Sequence, residues 1–263
     1  MSEPLPDILQ KIVQRRRERL AAEPSREVGA QPRAEPLESR ENAFLAALQS
    51  RRGRAVIAEV KMGSPRLGSL AGQVEPLAQA RAYAGNGAAA LSVVVEPEFF
   101  FGSYDLLRRL KAASGLPAIA KDFVVDPRQL LWAREAGADA VLLVACLHDA
   151  ATLRHLAGLA RALGLAPLIE LDSAADVAKL SGASWELVGV NNRDLRTFEV
   201  SLERSLGLAA GLPRRALWVA ESGLSKPEDL RRLAAAGFDA FLIGEALLKA
   251  ADPGARLQEL LGS

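Results

Sequence analysis

The chain has 263 residues, a formal net charge of +1, 49% hydrophobic residues and one cysteine. That near-neutral balance gives no bulk electrostatic reason to expect a nucleic-acid or membrane partner, although a small anion needs only local positive charge. An internal disulfide is excluded, and no apolar run approaches the ~18 residues of a membrane span. The N-terminus lacks a basic-then-apolar signal pattern, so a cytoplasmic protein is expected. The length suits one large unit, since α/β barrels run to roughly 200–250 residues as a single domain.

Residues 5–21 place Leu5, Ile8, Leu9, Ile12, Val13 and Leu20 at helical spacing. The run Arg15, Arg16, Arg17 inside that stretch is expected to be a solvated face. Pro24, Pro32 and Pro36 mark an irregular connector over 22–40. A second helix over 42–49 leads into the first strand. From Ala55 a unit repeats. Apolar strand candidates cover 55–60, 88–95, 117–120, 139–144, 166–170, 186–190, 216–220 and 239–243. Amphipathic stretches follow each of them, at 74–84, 103–113, 127–136, 149–163, 173–180, 201–209, 226–235 and 254–261. The strands are apolar throughout rather than alternating, as in a parallel sheet covered on both faces. Gly87, Gly137 and Gly237 sit where helices stop, a position that favours positive φ. Eight βα units predict an α/β fold, a (β/α)8 TIM barrel over 51–263, with an N-terminal helical extension over 1–50 packed on it. The competing open, doubly wound sheet would be expected to show a G-x-G-x-x-G turn after its first strand, and none follows Glu59.

In such a barrel, reactive groups gather where strands end at the C-terminal rim. Those positions hold Glu59 and Lys61, Lys121 and Asp122, Glu170, Asn191 and Arg193, Glu221 and Ser222, then Gly244. Taken singly, each could be a solvated or structural ion pair worth about 0–1 kcal/mol. As a set they favour an active site, because charges gathered on one rim must pair or lose solvation at several kcal/mol each. Glu221-Ser222-Gly223 and Ile243-Gly244-Glu245, with a short helix opening at once, have the form of a phosphate cradle after strands seven and eight. The plainer alternative is that these glycines only make tight turns. Cys146, inside an apolar run, is expected to be a buried hydrophobe. His148 and His155, seven apart on the fourth barrel helix, offer too few neighbours for a metal site. Trp132, Trp185 and Trp218 are assigned to packing.

Eight motifs in order resemble the indole-3-glycerol phosphate synthase family. They are A-E-V-K-x-x-S-P at 58–65, F-F-x-G at 99–102, K-D-F at 121–123, G-A-D-A-V-L-L at 137–143, L-I-E at 168–170, G-V-N-N-R-D-L at 189–195, E-S-G at 221–223 and L-I-G-E-A-L at 242–247. The resemblance implies ring closure of 1-(2-carboxyphenylamino)-1-deoxyribulose 5-phosphate to indole-3-glycerol phosphate, with loss of carbon dioxide and water, in tryptophan biosynthesis. It implies a phosphorylated small-molecule substrate and no metal or organic cofactor. A monomer is expected, with an oligomer left open. Lys121 would be the general acid, its pKa lowered toward about 7–8, and Glu170 the general base. Lys61 would hold the substrate carboxylate, and Glu59 would orient the lysines. Asn191 and Glu221 would hold the sugar hydroxyls, with Arg193 orienting Glu221. Ser64, Pro65, Phe123, Leu142, Leu195 and Leu242 would contact the substrate and its aromatic ring. Ser222, Gly223, Gly244 and the Glu245 amide would cradle the phosphate. Which lysine is the acid in which step stays open. The chain departs from the family pattern at Gly63, Arg66, Val95-Glu96, Ala120 and Glu245, which bears on loops and substrate affinity. A phosphoribosylanthranilate isomerase-like barrel would want a Cys/Asp pair early in the barrel, and Cys146 is misplaced for it. A non-catalytic barrel would be expected to lack Lys121 or Glu170, and both are present.

Overall fold

The computed structural model describes residues 7–65, 68–194 and 197–262. Leu5, Arg66 and Leu195, singled out above, lie outside them. Among the described residues, eight parallel strands close into a barrel. They are β1 (Ala55–Val60), β2 (Ala90–Val94), β3 (Ala118–Lys121), β4 (Ala140–Val144), β5 (Ala166–Leu171), β6 (Leu187–Asn191), β7 (Leu217–Glu221) and β8 (Ala240–Ile243). Closure pairs Ala55 of β1 with Ala240 of β8. Two helices precede the barrel, α1 (Asp7–Ala22) and α2 (Ala43–Ser50). The outer layer is α3 (Pro76–Gly85), α4 (Tyr104–Ser114), α5 (Arg128–Glu135), α6 (Ala150–Ala162), α7 (Ala174–Lys179), α8 (Glu203–Leu208), α9 (Pro227–Ala235) and α11 (Pro253–Leu261), with the short α10 (Glu245–Leu248) directly after β8. No helix among the described residues is long and apolar enough to cross a membrane.

The strands run further than their apolar stretches. Lys121, Asn191 and Glu221 were expected just past the strand ends, yet each is the last residue of its strand. The ladder bonds backbone groups and is indifferent to side-chain polarity, so Val94 pairs with Lys121 and Asn191 with Glu221. Side chains two apart share a face. The inner cluster holds Ile57, Ile119, Leu168, Leu187 and Val219. Continuing that parity brings Glu59, Lys121, Glu170, Asn191 and Glu221 inward above an apolar floor.

The N-terminal segment contacts both ends of the barrel. At the lower end, Phe44, Leu45 and Leu48 of α2 join the inner apolar cluster beside Ala55, Ala140 and Ala166 at the strand starts. Asn42 fixes that plug. Its Oδ1 caps α2 by accepting from the N–H groups of Phe44 (3.0 Å) and Leu45 (3.1 Å). Its Nδ2 donates to the carbonyls of Asp139 (2.7 Å) and Gly164 (3.0 Å) below β4 and β5. The connector is pinned along α6, where Arg161 donates to Ala34 O (3.0 Å) while paired with Glu186 (2.7 Å).

At the upper end, Arg15 and Arg17 are exposed as expected, but Arg16 between them departs from the solvated face. It is 3% exposed. Its Nε donates to Asp122 Oδ1 (3.1 Å) and its Nη2 to Oδ2 of the same carboxylate. Tyr104 and Gln129 donate to the same carboxylate at 2.8 and 2.9 Å, and the Phe123 N–H at 2.9 Å. Asp122 is thus committed to holding α1 beside Lys121. The signal was available, since Arg16 continues the buried stripe of Ile12 and Leu20 at a spacing of four. His148 also departs from its expected place. It follows a 3-10 turn ahead of α6, with Nε2 2.9 Å from Val124 O, while Asp149 caps the helix. Cys146 is half-buried rather than fully enclosed.

Asn42→Ala removes a helix cap, takes the donor from Gly164 O and leaves Asp139 O with the Ala166 N–H alone. A loss of about 2–3 kcal/mol is expected, read as a lower urea midpoint at unchanged slope.

Candidate active site

A cavity of about 570 Å³ opens at the C-terminal rim. It gathers Glu59, Lys61, Lys121, Glu170, Asn191 and Arg193 with Ser222, Gly223, Gly244 and Glu245. Phe123, Leu142 and Leu242 supply its apolar wall. Residues far apart in the chain therefore meet at one mouth. Glu221 lies fully buried beneath it. Ser64 and Pro65 do not line the cavity. They sit on the turn after β1, where Gly63–Ser64 pairs antiparallel with Gly68–Ser69.

The centre of the site is the Glu59 carboxylate. Lys61 Nζ donates to its Oε1 at 2.8 Å, and Lys121 Nζ to its Oε2 at 3.1 Å. Burial would raise the Glu59 pKa, but the two ammonium groups outweigh burial and bring it down to about 2. Lys121 also lies 3.5 Å from Glu221 Oε2. Burial would lower the Lys121 pKa; Glu59, Glu221 and Glu170 overcome it and push the ammonium above the ordinary lysine value. The sequence-based expectation of a lowered Lys121 pKa is therefore reversed, because three acidic side chains, Glu59 foremost, surround one amine. Glu221 moves the other way. Burial, and then the neighbouring Glu170 charge, raise its carboxyl to about 8 despite Lys121. Asn191 Nδ2 donates to Glu170 Oε1 at 3.3 Å.

Two glycines make this crowding possible. A Cβ on Gly244 would lie 2.4 Å from Glu59 Oε1, and one on Gly189 would lie 2.2 Å from Glu221 Oε1. Both positions must be bare for these carboxylates to stand where they do. Gly244 was read from the sequence only as part of an anion cradle, and Gly189 only as part of a motif.

Arg193 does not reach Glu221. Its Nη2 pairs with Glu245 Oε2 at 2.9 Å, and its backbone N–H donates to Asn191 Oδ1 at 3.0 Å. Lys249 holds the other oxygen of Glu245 at 2.6 Å. The residue at 245 is acidic, so it draws Arg193 across the mouth.

Phe100 completes the apolar wall, its ring centroid 6.0 Å from that of Phe123. It belongs to the F-F-x-G motif, and its place is set by Glu96. Its buried carboxylate accepts from the N–H groups of Glu98 (3.0 Å), Phe99 (2.7 Å) and Phe100 (3.0 Å) and winds the loop around itself. Phe101 instead turns through φ 57° and is 45% exposed. Phe198, Val200 and Lys249 also border the cavity and carried no sequence signal.

Comparison with known proteins adds two levels of likeness. A family model described as indole-3-glycerol phosphate synthase matches residues 9–260. The indole-3-glycerol phosphate synthase of Albidiferax ferrireducens is 42% identical over 262 residues, covering 98% of this chain and 99% of its own. That of a Polaromonas species is 44% identical over 262 residues, covering 97% and 98%. Among solved structures, 3-hexulose-6-phosphate synthase from Salmonella typhimurium superposes with a TM-score of 0.64 at 15% identity, over 79% of this chain and 97% of that one. Thiamine phosphate pyrophosphorylase from Pyrococcus furiosus gives a TM-score of 0.56 at 16% identity, over 80% and 95%. The structural likenesses concern the barrel fold alone.

The opposite shifts of Glu59 and Glu221 set the pH dependence of stability. Glu221 holds its proton up to about pH 8, against an ordinary 4.5. Across that window the unfolded chain binds fewer protons than the folded one, so Glu221 makes stability fall as pH rises. Glu59 acts oppositely, its contribution being lost as pH falls from 4.5 towards about 2. Glu221→Gln is therefore expected to be more stable relative to the parent at pH 8 than at pH 5, measured by urea midpoints. An identical difference at both pH values would contradict the raised carboxyl.

Proposed function

The chain belongs to the indole-3-glycerol phosphate synthase family, and from that premise we propose which of its side chains carry the reaction. The activity is carboxy-lyase ring closure. The substrate, 1-(2-carboxyphenylamino)-1-deoxyribulose 5-phosphate, becomes indole-3-glycerol phosphate with loss of carbon dioxide and water, a step of tryptophan biosynthesis. The observation that carries the assignment is the Glu59 carboxylate holding Lys61 and Lys121 within 2.8 and 3.1 Å at the cavity mouth.

The ring carbon attacks a ketone, and the oxygen of that ketone gains negative charge as the bond forms. Lys121 supplies the proton. Held by the ionised Glu59 it is fully charged at neutral pH, so its acid form is never limiting. A strongly held proton makes it a weak acid towards the ketone itself. It becomes an effective one as the oxygen approaches an alkoxide, whose proton affinity exceeds that of an amine. Glu170, steadied by Asn191, faces the anilinium nitrogen and offsets its developing positive charge; the attacking carbon regains aromaticity by losing carbon dioxide, not a proton. Lys61 pairs with the substrate carboxylate until carbon dioxide departs, then gives its proton to the departing hydroxyl, which leaves as water. Glu59 fixes both ammonium groups and accepts a proton in the dehydration. Glu221, protonated below about pH 8, can donate to a sugar hydroxyl as well as accept from one.

The aromatic ring fits between Phe100, Phe123, Leu142 and Leu242. The phosphate lies across Ser222, Gly223, Gly244 and the Glu245 amide. Ser222 (φ 66°) and Gly223 (φ 75°) turn successively through left-handed backbone. Among the described residues neither of their amides has an acceptor, which suits an anion nest. A monomeric, cytoplasmic enzyme is part of the same proposal; a single cysteine, which excludes an internal disulfide, suits a reducing compartment.

Lys121→Ala is expected to lower kcat about 10²–10⁴-fold, followed by indole absorbance, with the circular dichroism spectrum unchanged. Turnover within tenfold of the parent would remove Lys121 from the role of acid.

A further inference from the structure

Asn192 stands beside the site and does not line it. It is fully buried, and all four of its polar groups are engaged. Its backbone carbonyl accepts from Ser201 N–H at 3.0 Å. Its Oδ1 accepts from Ser205 Oγ (2.7 Å) and Ser205 N–H (3.2 Å) near the start of α8. The two remaining groups both turn to the end of β7. The Asn192 N–H donates to Glu221 O at 2.8 Å, and Nδ2 donates to Ser222 O at 3.2 Å.

Those two bonds hold consecutive peptide units. In a planar trans peptide the C=O and the following N–H point in opposite directions. Drawing Glu221 O towards Asn192 turns the Ser222 N–H away from it. Drawing Ser222 O the same way turns the Gly223 N–H away as well. Away from Asn192 and β6, across β7, lie β8 and the cavity that Ser222, Gly223 and Gly244 line. The conformation so held is one that serine rarely adopts, at φ 66°. Such a residue persists only where its surroundings over-determine it.

We propose that Asn192 is a positioning residue for the phosphate: its side chain aims the Gly223 amide into the cradle by anchoring the Ser222 carbonyl from outside the barrel. The inference rests on the phosphate reading of Ser222 and Gly223 given above. Asn192→Ala leaves the backbone bonds to Glu221 and Ser201 and removes the hold on Ser222 O, together with the acceptor of Ser205 Oγ and N–H.

The test uses full-length enzyme, with inorganic phosphate as a competitive probe and indole formation as the assay. In the parent, phosphate competes with substrate; absence of competition would overturn the cradle itself and the role of Asn192 with it. Competition that Asn192→Ala leaves unchanged would overturn the role of Asn192 alone. The expected result for Asn192→Ala is a rise of about tenfold, or 1.4 kcal/mol, in both KM and the phosphate inhibition constant. The kcat should stay within about threefold, as for lost uniform binding. A Ser222→Gly background separates positioning from general damage, because glycine takes positive φ unaided. There, Asn192→Ala should raise the inhibition constant by less than about threefold. An equal rise in both backgrounds would mean that Asn192 does not act through the Ser222 turn. Should Asn192→Ala fail to fold, Ser205→Ala tests the same chain of contacts from its far end. It loosens the hold on Asn192 Oδ1 and is expected to raise the constant about threefold. No change there would likewise end the proposal.

Discussion

One carboxylate joined to two amines organises the rim of this barrel. Glu59 receives Lys61 and Lys121 on its two oxygens. Without it, two ammonium groups would face each other in a poorly solvated cavity, where like charges repel far more strongly than in water. Its placement depends on the closure of the barrel, since Ala58 pairs with Ile243 across β1 and β8. That register sets Gly244 against the Glu59 side chain, where no Cβ could be tolerated. The same glycine borders the space assigned to the phosphate, so one bare position serves the charge cluster and the anion cradle together.

Around that pair the site separates carboxyl groups by environment. Glu59, between two cations, stays ionised far into acid, whereas Glu221, buried against Glu170, keeps its proton to about pH 8. Two side chains of the same type therefore stand ready for opposite proton tasks at one pH. Burying so many charges is unfavourable unless each is matched. Matching comes from strands that pleat in parity, so that five distant positions point inward at one level. The apolar layer beneath, from Ile57, Ile119, Leu168 and Val219, keeps water from reaching the cluster from below.

The N-terminal segment gives this arrangement its outer support. Asn42 and the apolar face of α2 close the lower end, while Arg16 of α1 grips Asp122, the neighbour of Lys121 and Phe123. A buried arginine matched to a buried aspartate contributes less to net stability than to geometry, because desolvation offsets much of the attraction. Its consequence is that the strand end bearing Lys121 is braced from outside. Glu96 plays a comparable part for the aromatic wall, gathering three amides so that Phe100 rather than Phe101 meets Phe123.

The sequence by itself determined the eight βα units, their parallel pairing and the identity of the polar residues on the rim. Apolar runs and amphipathic spacing are local properties of the chain, and pleat parity carries them directly into inward and outward faces. Arg16 was legible in the same way, on a buried helical stripe, though its charge pointed to a solvated reading. What only the tertiary structure decided were the partners. Arg193 meets Glu245 and not Glu221, Asp122 is spent on α1, and Gly189 and Gly244 yield to carboxylates from other strands. The direction of the Lys121 shift was likewise beyond the sequence. It follows from three acidic side chains brought together across the barrel, and Coulomb interactions depend on distance in space, not on separation along the chain.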